Sequence, residues 1–242
     1  MRKIRIYQNG NFTPGQIIHL SDGASQHVAR VLRMRTGDIL TIFNGDNHEF
    51  TAEITQLSKK EAAVTIKNSS MINVESPFNI HLAQAIAKGD KMEMVIQKAV
   101  ELGAKSISPI ITNRLAYKLD GNKLQKKHQQ WQAIAISACE QSGRNQLPEI
   151  KFPCNFAEYI QKSNALNKLI LYPEAGKSWR DYKHISQEIE ILIGPEGGLD
   201  NTEIELALAN NYLPLSLGPR ILRTETAALT AISILQAVFG DL

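Results

Sequence analysis

Two stretches in the last fifth of the chain restrict its folding more than any others. They are Ile191 to Leu199 (Ile-Leu-Ile-Gly-Pro-Glu-Gly-Gly-Leu) and Leu215 to Ala227 (Leu-Ser-Leu-Gly-Pro-Arg-Ile-Leu-Arg-Thr-Glu-Thr-Ala). Each is a strand-like apolar run that ends in a glycine turn and opens a helix. Parallel strands finish at one edge of a sheet, and a loop there closes over a ligand only where its backbone comes close, which glycine permits and a Cβ usually forbids. Gly194, Gly197, Gly198 and Gly218 fit that need. Any one of them would suit an ordinary turn, but two such turns, with Arg220, Arg223 and Glu225 crowded into the second, argue for a site.

The remainder of the chain reads in two parts. Lys3 to Tyr7 and Gln16 to Leu20 are strand-like, and Asp38 to Phe43 leads into Asn44-Gly45, a hairpin signal, before the alternating Phe50, Ala52 and Ile54. Glu61 to Lys67 supplies a further strand. Ser21 or Asp22 can cap a helix over residues 24 to 33, with Val28, Ala29 and Leu32 on one face. The polar run Asn68 to Pro77 reads as a linker, giving a division into residues 1–72, a small β-barrel, and residues 73–242.

After the linker, strands alternate with helices: strand Ile80 to Ile86, helix Asp90 to Leu102 ended by Gly103, strand Ser106 to Ile111, and helix Lys123 to Gln141. Strands Lys168 to Tyr172 and Ile189 to Ile193 follow. Asp200 and Glu203 form a capping box for a helix through Ala209, ahead of strand Leu213 to Leu217 and a final helix, Thr224 to Phe239. That last helix is apolar almost all round and must be buried on several sides. The alternation predicts an α/β domain with a mostly parallel sheet, and connection rules alone favour a simple doubly wound one.

Composition excludes several classes. At 242 residues, 43% hydrophobic and 21% charged, the chain is long enough for one large or two modest cores. It has no apolar run of membrane-spanning length and no signal-peptide pattern, so it reads as cytoplasmic. Cys139 and Cys154 offer neither a disulfide framework nor metal spacing, and His19, His27, His48, His81, His128 and His184 are scattered, so no metal is expected. The net charge of +3 resides in the first part: residues 1–73 carry nine Lys and Arg against six Asp and Glu, whereas residues 74–242 are balanced. Arg30, Arg33 and Arg35 project from neighbouring turns and could meet several phosphates, or form a merely solvated face.

The two glycine segments closely resemble signature segments of the ribosomal RNA small subunit methyltransferase E family, a branch of the knotted SPOUT methyltransferases. Further matches are His27 to Arg33 with Gly37-Asp38, Lys88 to Glu93 (Lys-Gly-Asp-Lys-Met-Glu), Gln97-Lys98, Glu101 to Gly103, Trp131 and Glu140 to Arg144 (Glu-Gln-Ser-Gly-Arg). The resemblance covers nearly the whole chain. It departs from the family pattern at Asn44-Gly45, where Asp-Gly is expected, and at Asn113-Arg114, where Ser-Glu-Arg is expected.

The resemblance implies a PUA-like RNA-binding barrel, then an α/β domain with a deep trefoil knot and a homodimer packed through it. It implies methylation of uridine N3 in 16S ribosomal RNA, with S-adenosylmethionine (SAM) as donor. The residues agree: no dinucleotide or Walker-type phosphate loop is present, and glycine loops without phosphate clamps suit SAM. The cofactor pocket carries over to Leu171, Tyr172, Ile193, Gly194, Pro195, Glu196, Gly197, Gly198, Leu217, Gly218, Arg220, Ile221, Leu222 and Arg223.

Uridine N3 lies on the Watson-Crick edge, so the base must be unpaired or flipped. Arg223 is the first candidate beside it, stabilising charge on the uracil oxygens as the imide proton leaves. Glu225 could orient that arginine or act as the base. A structural assignment stands beside these: Thr224 caps the last helix, Glu225 complements its positive end, and Arg223 pairs with an anion. Arg30, Arg33, Lys88, Lys91, Arg114 and Arg144 are candidates for the RNA path. Glu140 and Gln141 could support the site loops or simply be exposed, and Trp131 is expected in the core. A noncatalytic RNA-binding or ribosome-assembly factor is the alternative function, and a nucleotide-dependent enzyme a weaker third.

Overall fold

The structure is a computed structural model and describes residues 3–115, 121–172, 174, 177–182, 185 and 187–242. The chain divides into two compact units. One comprises Met1–Glu75 and Cys139–Leu147, the other Ser76–Ala138 and Pro148–Leu242.

In the first unit, strands β1 (Arg5–Tyr7), β2 (Ile17–His19), β3 (Ile39–Phe43), β4 (His48–Leu57) and β5 (Ala62–Met71) form one sheet in the order β1-β3-β4-β5-β2. Only the β1–β3 pair is parallel. The alternation in β4 places Phe50, Ala52 and Ile54 in a core with Ile6, Val28, Leu40, Ile42, Val64 and Ile66, each large aliphatic contributing about 1.5–3 kcal/mol by leaving water. Asn44-Gly45 does join β3 to β4, with Gly45 at φ +94° and Asn47 at +72°.

Two expectations change here. The linker was expected from Asn68, yet β5 runs on to Met71, pairing Asn68 to Met71 with His48 to Thr51 of β4. Polar residues in an exposed strand resemble a loop locally, and cross-strand hydrogen bonds override that signal. The helix expected over 24–33 is α1 (Asp22–Gln26), capped by the Ser21 hydroxyl, followed by a π-helical turn over His27–Val31. The turn is closed by Arg33 at φ +51°, with the Leu32 and Met34 N–H groups donating to the His27 and Val28 carbonyls at 2.9 and 3.1 Å.

Cys139–Leu147, the far end of a long helix and the loop after it, also belongs to this unit. The fully buried Asn145 donates to the Ile72 carbonyl at 2.9 Å and accepts from Arg5 at 2.6 Å. No local pattern announces this return of the chain, because residues 73 and 140 positions apart make it.

The second unit holds β6 (Asn79–Ala85), α2 (Lys91–Glu101), β7 (Ser106–Ile111), most of α3 (Gly121–Ser142), β8 (Glu149–Ile150), β9 (Cys154–Asn155), α4 (Phe156–Lys162), β10 (Lys168–Leu171), β11 (Glu188–Ile193), α5 (Asn201–Ala209), β12 (Leu213–Leu215) and α6 (Thr224–Phe239). The strands are all parallel, in the order β12-β10-β11-β6-β7-β8, with β9 also on β7. The periodicity misses β8, β9 and α4, which are too short to carry one. β12 leaves the ladder at Leu215 instead of Leu217, because the Ser216 N–H donates to the Lys177 carbonyl at 2.6 Å.

One core packs Ala83, Ile110, Ile170 and Leu192 of the sheet against Phe156, Ile160 and Ala207 of α4 and α5. The Asp200 and Glu203 capping box forms as expected. On α6, Ala227, Ala228, Ala231, Ile232 and Leu235 are buried, and the Gln236 amide donates to the Leu102 carbonyl at the end of α2 while accepting from the Ser76 hydroxyl. Trp131 is buried as expected.

Candidate active site

Because every strand of the second sheet points the same way, the segments following β6, β7, β10, β11 and β12 share its carboxyl edge, where ligands of open α/β sheets bind. They supply Lys88 to Lys91, Asn113-Arg114, Tyr172, the Gly194 to Gly198 turn and the approach to α6. A cavity of about 750 Å³ opens there. It is lined by Leu171, Tyr172, Ile193 through Leu199, Ile221, Leu222, Arg223, Thr224 and Ala227, with Lys91, Arg114 and Glu174 adding charge.

The first glycine turn is tightly built. The Gly198 N–H donates to the Pro195 carbonyl at 2.9 Å with Gly198 at φ +71°, a conformation costly for a side chain. A Cβ on Gly194 would meet Leu199 at 3.2–3.3 Å. The Arg114 guanidinium donates to the Gly197 carbonyl at 2.7 Å, the Asn113 N–H donates to Glu203 at 2.8 Å, and the Asn113 amide donates to Asp200 at 2.8 Å. Hydrogen bonds from Thr202, Asn113 and the Glu203 N–H lower the Asp200 pKa to about 2.

The second turn meets the first through Thr224. Its hydroxyl donates to the Gly194 carbonyl at 2.7 Å and accepts from the buried Gln84 amide at 3.0 Å. The structural assignment that made Thr224 the cap of α6 does not hold; the N-cap is Arg223, no side chain caps it, and the threonine stitches the two turns together. That role needs β6, β11 and α6 in contact, so no helix-start rule could find it.

The Glu196 carboxylate accepts from the Lys88 N–H at 3.0 Å and from the Lys91 ammonium at 3.2 Å. Burial opposes its charge, but hydrogen bonds from its own and the Lys88 backbone, with the Lys91 charge, outweigh this and hold its pKa below the ordinary value. Lys91 also lies 3.9 Å from Glu225, whose Oε2 is buried without a hydrogen bond.

Most of the expected pocket residues thus come together, but Leu217, Gly218 and Arg220 do not line the cavity, since the chain leaves the sheet before them. Ile221, by contrast, stands 90% exposed at its mouth. Arg223 lines the cavity, exposed and without an acidic partner among the described residues, whereas Glu225 is outside the lining. Arg114 and Lys91, expected on the RNA path, both reach the cavity; Arg30 and Arg33 are exposed in the first unit.

Arg144 departs from expectation. It is 5% exposed, and its guanidinium is bound by Glu75 through both Nε and a terminal nitrogen. A buried, paired arginine of this kind holds structure and does not reach a phosphate. Glu140 likewise accepts from the Tyr7 N–H in the first unit instead of supporting the site loops, and burial raises its pKa. Among the described residues no His, Cys, Asp and Glu cluster could hold a metal, and no helix is long and apolar enough to cross a membrane. His184 lies outside the described residues.

A glycine-walled cavity at the carboxyl edge of a parallel sheet, in a chain with a separate β unit, defines the class once sequence relatives are added. A family model of the RNA methyltransferase domain matches residues 74–236, and one of the RNA methyltransferase PUA domain matches residues 13–67. The ribosomal RNA small subunit methyltransferase E of Buchnera aphidicola from Acyrthosiphon pisum is 38% identical, over 98% of this chain and 94% of that protein. The Neisseria gonorrhoeae protein of that name, crystallised with SAM, is 39% identical over 99% of both chains at a TM-score of 0.95. A Legionella pneumophila methyltransferase, also solved with SAM, is 52% identical over all of both chains at 0.98. The chain belongs to the ribosomal RNA small subunit methyltransferase E family.

Proposed function

We propose that this protein transfers the methyl group of SAM to N3 of a specific uridine in 16S ribosomal RNA of the small subunit. The observation that carries the reading is the cavity between two glycine turns, lined on one side by apolar side chains and at its mouth by Arg223, in a chain of this family. The cavity suits the donor. Its volume lies in the range of small-molecule sites, and backbone groups of the tight 194–198 turn with Leu171, Ile193 and Leu222 offer main-chain hydrogen bonds and apolar walls. When bound, SAM supplies a methyl carbon made electrophilic by its positive sulfur.

The protein's own residues then have three tasks: to receive an extruded base, to favour loss of its imide proton, and to align the nitrogen with the methyl group. Alignment can supply roughly 7–11 kcal/mol, whereas general-base help typically adds about 10²- to 10⁴-fold, so positioning is the larger contribution. Arg223 stabilises negative charge on the uracil oxygens as the proton leaves. Arg114, beside the Gly197 carbonyl, and Lys88 present positive charge to the RNA at this edge.

The finer architecture belongs to the same proposal. Residues 1–72 act as a PUA-like RNA-binding barrel, with Arg30 and Arg33 meeting phosphates, and residues 73–242 as the catalytic domain. The domain carries the trefoil knot, supported by the return of the chain from edge strand β12 to Gly194 and β6 between the two turns. It pairs as a homodimer; α2 and α6 pack together and leave Met94 and Val238 exposed.

The test is radiolabelled methyl transfer from SAM to small subunits lacking their natural modifications, followed by nucleoside mass spectrometry. N3-methyluridine is the expected product, and failure to bind SAM or to label any RNA would overturn the reading in favour of a noncatalytic RNA-binding factor. Arg223→Ala should remove most turnover while SAM affinity stays within about tenfold; equal loss of both would make it a cofactor residue.

A further inference from the structure

Lys91 opens α2, directly after Gly89 at φ +64° and the N-cap Asp90. Its ammonium lies 3.2 Å from Glu196 in the first glycine turn and 3.9 Å from Glu225 in the first turn of α6. Glu196 belongs to the cavity wall, and Glu225 stands just behind it, next to the lining residue Thr224 at the start of α6. Among the described residues, Lys91 is the one cation in ion-pair range of either. Glu225 Oε2 is buried and has no hydrogen-bond donor, so among the described residues the ammonium is the one side-chain charge that offsets it, beside the positive end of α6.

An ammonium is a compact point charge with three donors on a flexible stem, so one side chain can serve two carboxylates at once. Removing it leaves two carboxylates facing each other, and like charges repel. With one positive charge between two negative ones, Lys91 has none to spare for a phosphate unless a carboxylate is displaced.

We propose that Lys91 is a positioning residue that fixes the gap between the Gly194 to Gly198 turn and the start of α6, and so the width of the methyl-donor cavity. It acts through Glu196 and Glu225 and does not serve as an RNA phosphate contact. This rests on the methyltransferase reading above.

The experiment uses the full chain with Lys91→Met, Lys91→Arg and Glu225→Gln, singly, and Lys91→Met combined with Glu225→Gln. Calorimetry gives SAM affinity, steady-state kinetics with unmodified small subunits gives kcat and the RNA KM, and RNA binding is followed against salt. Lys91→Met should weaken SAM about three- to tenfold, the scale of a partly exposed pair with two partners, and lower kcat. RNA KM and the salt slope should stay unchanged, and Lys91→Arg should restore most of the loss. The methionine should also cost less in the Glu225→Gln background than in the wild type.

Unchanged SAM affinity with a salt slope shallower by about 0.7–0.9, the signature of one lost phosphate contact, would overturn the proposal. So would wild-type behaviour throughout, or additive effects in the double variant. Should Lys91→Met fail to fold, Lys91→Arg and Glu196→Gln carry the same comparison. A wild-type protein that binds SAM but methylates nothing would refute the methyltransferase reading alone, since the SAM-affinity comparison still decides the role of Lys91.

Discussion

Thr224→Val tests whether the two glycine turns act as one wall. Valine keeps the shape of threonine and removes only the hydroxyl. The Gly194 carbonyl then loses its 2.7 Å donor and the Gln84 amide its 3.0 Å acceptor, although that amide keeps the Ala85 carbonyl at 2.9 Å. Gln84 is fully buried, so its lost partner is not replaced by water, whereas the Gly194 carbonyl lies at the cavity wall and can be hydrated. One buried group left unsatisfied costs about 1–3 kcal/mol, which in a unit of this size lowers Tm by about 2–4 °C per kcal/mol. Freeing the turn also removes preorganisation worth about one net hydrogen bond, so SAM should bind about two- to tenfold more weakly. Calorimetry and a circular-dichroism melt read the two effects, with Thr224→Ser as the control that keeps the hydroxyl and should keep SAM affinity. A valine variant that binds SAM like the wild type and melts within 1 °C of it on this order-of-magnitude scale would refute the reasoning, as would a serine variant equal to valine.

Other outcomes follow from the same geometry. Arg144→Met should destabilise the first unit by about 3–5 kcal/mol, because it strands the Glu75 carboxylate in a buried site; denaturant titration checks this, and a stable variant with weakened RNA binding would restore Arg144 to the RNA path. Arg33→Gly should raise that unit's stability by roughly 1 kcal/mol by removing a side chain from the left-handed region, while RNA affinity falls more at low salt than at high; a lower Tm would show that the arginine makes compensating contacts. Burial pushes the Cys139 thiol up to about 12, so alkylation of the native protein at that site should stay slow through pH 10, on the order of two units below that value. The sign follows: the folded state holds its proton longer than the unfolded chain, so this group's contribution to stability is complete below the unfolded thiol pKa and declines as pH rises through it. Rapid native labelling of Cys139 by mass spectrometry would contradict its burial.

Much of the second unit was legible. Apolar runs marked β6, β7, β10 and β11, and Asp200 with Glu203 marked the start of α5, because these signals are local. Elements of two or seven residues carried no period and were missed. The pocket residues up to Gly198 were legible as backbone-approach glycines. Leu217, Gly218 and Arg220 come from the motif alone, and in the structure a hydrogen bond from the Ser216 N–H to the Lys177 carbonyl turns the chain off the sheet before them, leaving them outside the cavity lining.

The sequence by itself determined the family, the parallel α/β character and the glycine turns that a close ligand requires, since motif spacing and side-chain period are properties of neighbouring residues. Only the tertiary structure decided which charges are free. Arg144 and Arg223 look alike as arginines beside a helix end, yet one is spent on Glu75 and the other faces the cavity. Thr224 reads as a helix cap and Lys91 as an RNA contact until β6, β11 and α6 bring Gly194, Glu196 and Glu225 to them. A side chain's role is set by the partner that offsets its charge or hydrogen-bonding capacity, and here those partners lie from 30 to more than 130 residues away along the chain.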